Sequence, residues 1–187
     1  MGWESLIMND RYTRSAIALH WLIALLIFAA LPLGLYMHDL PLSPHKLRMY
    51  SYHKWIGITV LLLAVIRLTW RATHRPPAMP ETMPQWEKLA AETVHYLLYA
   101  LIFIIPISGW LMSSAMGFQV VWFGVLPLPD LVAKNKELAD LLHEVHENLN
   151  YGLLLLLLAH VGGALKHHFI ERDDILTRMI PFLKRRT

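Results

Sequence analysis

The sequence predicts an all-α integral membrane protein built as a four-helix bundle, and three observations carry that reading. Of its 187 residues 56% are hydrophobic, with a mean hydropathy of +0.40, too apolar for an ordinary soluble domain of this size. Four segments are long and apolar enough to span a bilayer, which takes about 20 residues of helix. Finally, the chain carries eleven histidines and no cysteine, so neither disulfides nor iron–sulfur clusters are available, and imidazole is its abundant metal-capable group.

The spans are expected near residues 15–37 (SAIALHWLIALLIFAALPLGLYM), 51–71, 91–113 and 146–169. The first is too long for a signal peptide, and no small-residue cleavage site follows it. MGWESLI reads as an alternative-start extension before Met8. Helix 2 is stopped by THRPPAMPETMPQW, whose prolines also delay helix 3. The longest loop is 114–145. Its first half (GFQVVWFGVLPLP) is apolar and aromatic, as interfacial segments are. Its second half (DLVAKNKELADLLHEV) has helical spacing, so helix 4 either starts early in water or follows a short surface helix. The C-terminal stretch 170–187 is amphipathic and is expected along the membrane surface. With no internal repeat or long linker, residues 1–187 are expected to form a single membrane domain.

Charge sets the orientation. Of the 17 Lys and Arg, Lys46, Arg48, Lys54, Lys134 and Lys136 fall on one side and the other twelve on the opposite side. The positive-inside rule then puts both termini in the cytoplasm. Topology thereby accounts for the basic pI of about 9.2. The basic tail LKRRT fits anionic lipid headgroups, and nucleic acid is not an expected partner.

The stretch HENLNYGLLLLLLAH (146–160) places a histidine at each end of an apolar run. Fourteen helical residues rise roughly 21 Å and return to within about 40° of the starting direction. His146 and His160 therefore share one face of helix 4 near opposite membrane sides. By depth, His53 in the first turn of helix 2 pairs with His146 on the outer side. His20, early in helix 1, pairs with His160 on the inner side. Two bis-histidine sites stacked across a four-helix bundle form a di-haem b arrangement.

The same fourteen-residue step leads from His20 to Gly34, from His95 to Gly109 and from His53 to Arg67. Glycines at Gly34 and Gly109, with Gly57 on the His53 face, remove side chain where a flat macrocycle needs room. An arginine at the depth of Arg67 needs an anion such as a haem propionate, although it also has the reach to snorkel. His95 lies at inner depth beside a site already filled, and it is open to bonding a propionate, lining a quinone pocket or packing. His167 and His168 follow at the inner end of helix 4. A quinone carbonyl needs a donor there, so His95, His167, His168 and Trp21 are quinone candidates. His38, His45, His74 and His143 read as loop or interface residues. A metal or proton transporter would predict carboxylates within the spans, and none occurs in 15–37, 55–71 or 93–113.

ALHW in helix 1, YHKWIGI and VIRLTWR in helix 2, VHYLLY and PISGWLM in helix 3, and H-x13-H ending in ALKHHFIERDDILTRM resemble the bacterial cytochrome b561 family. The resemblance runs over about residues 9 to 180. It implies a multi-pass protein of the bacterial inner membrane with haem ligands on the first, second and fourth helices, carried over to His20, His53, His146 and His160. It also implies transmembrane electron transfer. The small superoxide-oxidising members are similar, which implies an oxidoreductase that takes electrons from periplasmic superoxide and reduces bound ubiquinone. Lys54, Lys46 and Arg48 would favour an anionic donor, whereas Asp130, Glu137, Asp140, Glu144 and Glu147 crowd the same side. The cytochrome b subunits of hydrogenases and formate dehydrogenases share this core, so a partner-fed electron carrier is the alternative. No catalytic side chain is singled out.

Overall fold

A computed structural model describes residues 11–180, 182 and 183. The start residues Met1 and Met8 and the basic tail Lys184, Arg185 and Arg186 lie outside the described residues. Helix α1 spans Arg14–Asp39, α2 Pro44–Thr73, α3 Gln85–Met116 and α4 Lys136–Lys166. All four are long and apolar enough to cross a membrane.

Local chemistry explains where they begin and end. The Thr13 hydroxyl accepts from the Ala16 amide at 3.2 Å and caps α1. Ser43 does the same for α2, with Pro44 preset for the first turn. Asn135 caps α4 by accepting from the Leu138 amide. Helix α3 ends at Gly117, whose φ of 79° is the left-handed conformation that costs glycine little. There the Phe118 amide reaches back to the Ser113 carbonyl.

Three helices start well before their apolar runs, α3 at Gln85 among them. Helix α2 begins at Pro44 and α4 at Lys136, so α4 itself starts early and no separate surface helix precedes it. The stretch after α3 is not purely irregular. Val121–Trp122 (β1) pairs antiparallel with Leu126–Pro127 (β2). The hairpin is fastened to α2: Trp55 Nε1 donates to the Val121 carbonyl at 2.7 Å, and Trp122 Nε1 to the Thr59 hydroxyl at 3.2 Å. Beyond α4 the chain makes a π-helical turn, His167–Glu171, and reverses at Arg172 (φ 59°). A short 3-10 turn, Leu176–Arg178, follows.

The helices pack as α1 on α2 and α3 on α4, with α2 on α3 joining the halves; α4 scarcely touches α1 or α2. The buried core sits at mid-height and draws on all four helices: Ile23, Ile27, Val60, Ala64, Ile102, Ile105 and Leu153. In the leucine run Leu153 turns inward at 4% exposure, whereas Leu155 and Leu158 are 68% and 64% exposed and form part of the apolar outer surface. Trp70 Nε1 donates to Thr13, and Trp21 Nε1 to the Met179 carbonyl at 2.8 Å. Those bonds gather the start of α1, the end of α2 and the C-terminal turns at one end of the bundle, here the terminal end. The β-hairpin marks the other.

Candidate redox-cofactor site

Two pairs of imidazoles cross the gap where α4 stands away from α1 and α2. At the hairpin end, His53 on α2 and His146 on α4 have ring centroids 6.2 Å apart with planes at 76°. At the terminal end, His20 on α1 and His160 on α4 are 6.1 Å apart at 59°. The mid-height core lies between the two layers.

This spacing can be compared with coordination chemistry. A metal–imidazole bond is about 2.0–2.1 Å and the ring radius roughly 1.2 Å, so two imidazoles bound trans to one ion have centroids about 6.4 Å apart. Both pairs fall close to that value. Between His53 and His146 lies a cavity of about 60 Å³, lined also by Gly57, Ala30, Pro106 and Asn150. The spacing of each pair suits a metal, such as haem iron, that would be ligated by one imidazole from each of two facing helices.

The glycines divide into two kinds. A Cβ on Gly34 would come within 3.3 Å of His53 Cε1, and one on Gly109 within 3.1 Å of His146 Cε1. Those two glycines make room for the imidazoles themselves. A Cβ on Gly57 would meet no protein atom within 4 Å, because Gly57 opens on the cavity.

The Nδ1 partners differ between the layers. His146 Nδ1 lies 2.9 Å from Ser108 Oγ, and that hydroxyl donates to the Ile105 carbonyl at 2.8 Å. His20 Nδ1 accepts from Arg67 Nη1 at 2.9 Å, while Arg67 Nε donates to the Tyr99 hydroxyl at 3.1 Å. The Arg67 and Arg71 guanidiniums stand 5.5 and 5.4 Å from the centre of the Tyr99 ring. Among the described residues neither arginine has an acidic partner within salt-bridge distance. Within the protein, Arg67 is thus held by a histidine and a tyrosine. Ser108, Tyr99 and Arg71 were not singled out from the sequence. A serine beside Gly109 in the middle of an apolar run was the one available signal.

His95 is nearer His160 than His20 is, with ring centroids 5.1 Å apart at 71°. The remaining quinone candidates share the terminal end but form no single constellation. His167 is buried in the π-helical turn, its Nδ1 2.6 Å from Glu171 and 2.7 Å from Asp173. Its Nε2 lies 3.8 Å from Glu87. Lys166 Nζ bridges Glu87 at 2.8 Å and Glu171 at 2.7 Å. Glu87, His167 and Glu171 are close enough to share a metal ion, but the Lys166 ammonium already bridges the two carboxylates. His168 is buried beside Phe169. Trp21 contributes its ring, not its N–H, to an apolar groove of about 440 Å³ between α1 and Met179, Ile180 and Phe182.

Comparison with known proteins identifies the family. Residues 11–182 match the family described as prokaryotic cytochrome b561. The chain is 37% identical to cytochrome b561 homolog 2 of Escherichia coli (strain K12), over 91% of this chain and 92% of that protein. It is 31% identical to cytochrome b561 homolog 1 of the same organism, over 92% and 98%. It is 29% identical to the probable superoxide oxidase CybB of Yersinia pestis, over 93% and 98%. With four helices able to cross a membrane and a match along nearly its whole length, the chain belongs to the prokaryotic cytochrome b561 family, multi-pass membrane proteins that bind haem b and transfer electrons across the membrane.

Proposed function

We propose that the protein carries electrons inward through two haems b, from superoxide outside the bacterial inner membrane to ubiquinone near its inner face. The observation that carries this reading is the pair of cross-helix imidazole couples, 6.2 and 6.1 Å between centroids, at two depths of one bundle. His53 and His146 would hold the outer haem, and His20 and His160 the inner. Bound haem supplies the one-electron chemistry. The chain's own residues ligate, space and tune. The mid-height core excludes water between the layers, and Arg67 and Arg71 offer positive charge to anionic groups at the inner layer. Gly57 leaves open volume beside the outer pair. Both termini are cytoplasmic in this scheme, because the terminal end carries most of the arginines.

On the acceptor side, the groove beside Trp21 offers an apolar wall for a quinone. His167, ringed by Glu87, Glu171 and Asp173, is the imidazole we assign to the acceptor side; His95 and His168 complete the candidate set. A relative of similar length named as a probable superoxide oxidase supports the donor assignment.

One observation favours a second reading of the donor. Asp130, Glu137, Asp140, Glu144 and Glu147 are exposed at the hairpin end, and such a surface suits a basic electron-donating protein better than a diffusing anion.

The test is to purify the red protein, count haems per chain, and mix it with a superoxide source and a soluble ubiquinone analogue. Ubiquinol forming faster than in the protein-free control supports the superoxide reading. Haem reduction by a partner dehydrogenase but not by superoxide would replace it with the second. A colourless protein would remove both.

A further inference from the structure

The ring of His146 is framed along one edge by two consecutive residues of α3. Ser108 Oγ lies 2.9 Å from Nδ1, and a Cβ on Gly109 would touch Cε1 at 3.1 Å but stay 3.9 Å from Nε2. A buried serine in a helix ordinarily does no more than return its hydroxyl proton to a carbonyl one turn back. Ser108 does so, donating to Ile105 at 2.8 Å, and it is only 5% exposed. A hydroxyl has one proton and two acceptor lone pairs. With that proton on Ile105, the oxygen facing His146 can only accept, so the imidazole proton sits on Nδ1 and the lone pair on Nε2.

We infer that Ser108 is a positioning residue for the outer iron: it fixes His146 in the tautomer whose Nε2 binds metal, and it tunes the strength of that ligand. A metal-bound histidine generally donates its other N–H to an acceptor, which sets ring orientation and raises ligand basicity. Here that acceptor is a neutral hydroxyl on a neighbouring helix, itself anchored to the backbone, with the Ile105 carbonyl also facing the ring. Nothing equivalent serves His20, whose Nδ1 faces a guanidinium. The two layers are therefore tuned by opposite means.

This inference rests on the proposed ligation by His146, and the experiment separates the two. Potentiometric titrations of the haem-loaded protein are compared for wild type, Ser108→Ala, Ser108→Thr and His146→Ala. Removing the acceptor makes His146 a weaker donor to ferric iron. Ser108→Ala should shift the reduction equilibrium of one haem about tenfold toward the reduced form, equivalent to ~59 mV for one electron. The other haem should not move. Ser108→Thr, which keeps the hydroxyl, should restore the wild-type value and the low-spin spectrum. An unshifted Ser108→Ala, or an equal shift in Ser108→Thr, overturns the role of Ser108 while leaving the ligand assignment standing. If His146→Ala retains both haems, the ligand assignment itself fails and the positioning role falls with it.

Discussion

Arg67 Nη1 lies 2.9 Å from His20 Nδ1, and since a guanidinium can only donate, the imidazole must accept there. A neutral His20 so arranged carries its proton on Nε2, where an iron would need the lone pair. Loading the inner site therefore requires Arg67 to withdraw toward a new acceptor, or His20 to lose its proton. Either way a permanent positive charge stays beside the inner layer and favours the reduced state. Replacing Arg67 with Ala should lower the inner potential by roughly 60 mV, about tenfold in the one-electron equilibrium, and leave the outer one in place. Redox titration of the α band checks this; two unmoved potentials would dissociate Arg67 from the inner layer.

The three-histidine cluster at the terminal end offers a sharp ligand test. His95 is closer to His160 than His20 is, yet the proposed scheme assigns His20 as the ligand. His20→Ala and His160→Ala should each reduce haem content from two per chain to one. His95→Ala should keep both. Pyridine haemochrome assay of the purified variants decides, and the opposite pattern would move the ligand to α3.

Glycine replacements distinguish room for a ring from room for a cofactor. Gly109→Ala forces a Cβ to 3.1 Å from His146, so haem affinity at the outer layer should fall by about tenfold, the low end of what outer-shell changes cost. Gly57→Ala meets no protein atom and should leave the helical content of the haem-free chain unchanged. Its effect should appear only as faster haem loss to an apomyoglobin scavenger.

The ion pairs differ in value according to their surroundings. Lys136 and Asp140 are 88% and 62% exposed, and such pairs contribute about 0–1 kcal/mol. Glu87 is only 11% exposed and contacts both Lys166 and His167. Glu87→Ala should therefore lower the thermal midpoint in detergent clearly, while Asp140→Ala should leave it within error. Parallel melts followed by circular dichroism provide the comparison.

Much of this was legible in the sequence, for physical reasons. Spans appear as apolar runs because hydrocarbon tolerates little else. The same reasoning misplaces helix starts, because α2, α3 and α4 begin on polar residues that hydropathy does not register. His146 and His160 declared a shared face through a spacing that is purely helical geometry. Ser108, Tyr99 and Arg71 did not stand out, since their roles depend on how α3 is rotated against its neighbours. The strands of the small hairpin are two residues each, too short to show alternation, and they are tied to α2 by one indole hydrogen bond in each direction that no local pattern records.

The packing scheme has a consequence for biogenesis. The bundle consists of two helical hairpins sharing one seam between α2 and α3, and each proposed iron draws one imidazole from either half. The cofactors would then act as latches that close the open side only after both hairpins have entered the membrane. Stabilisation by a group that binds only the closed form grows with its availability. A cell short of iron or porphyrin would hold the halves ajar, with inward-facing side chains presented to membrane proteases. The share of closed, folded protein would thus rise with haem supply.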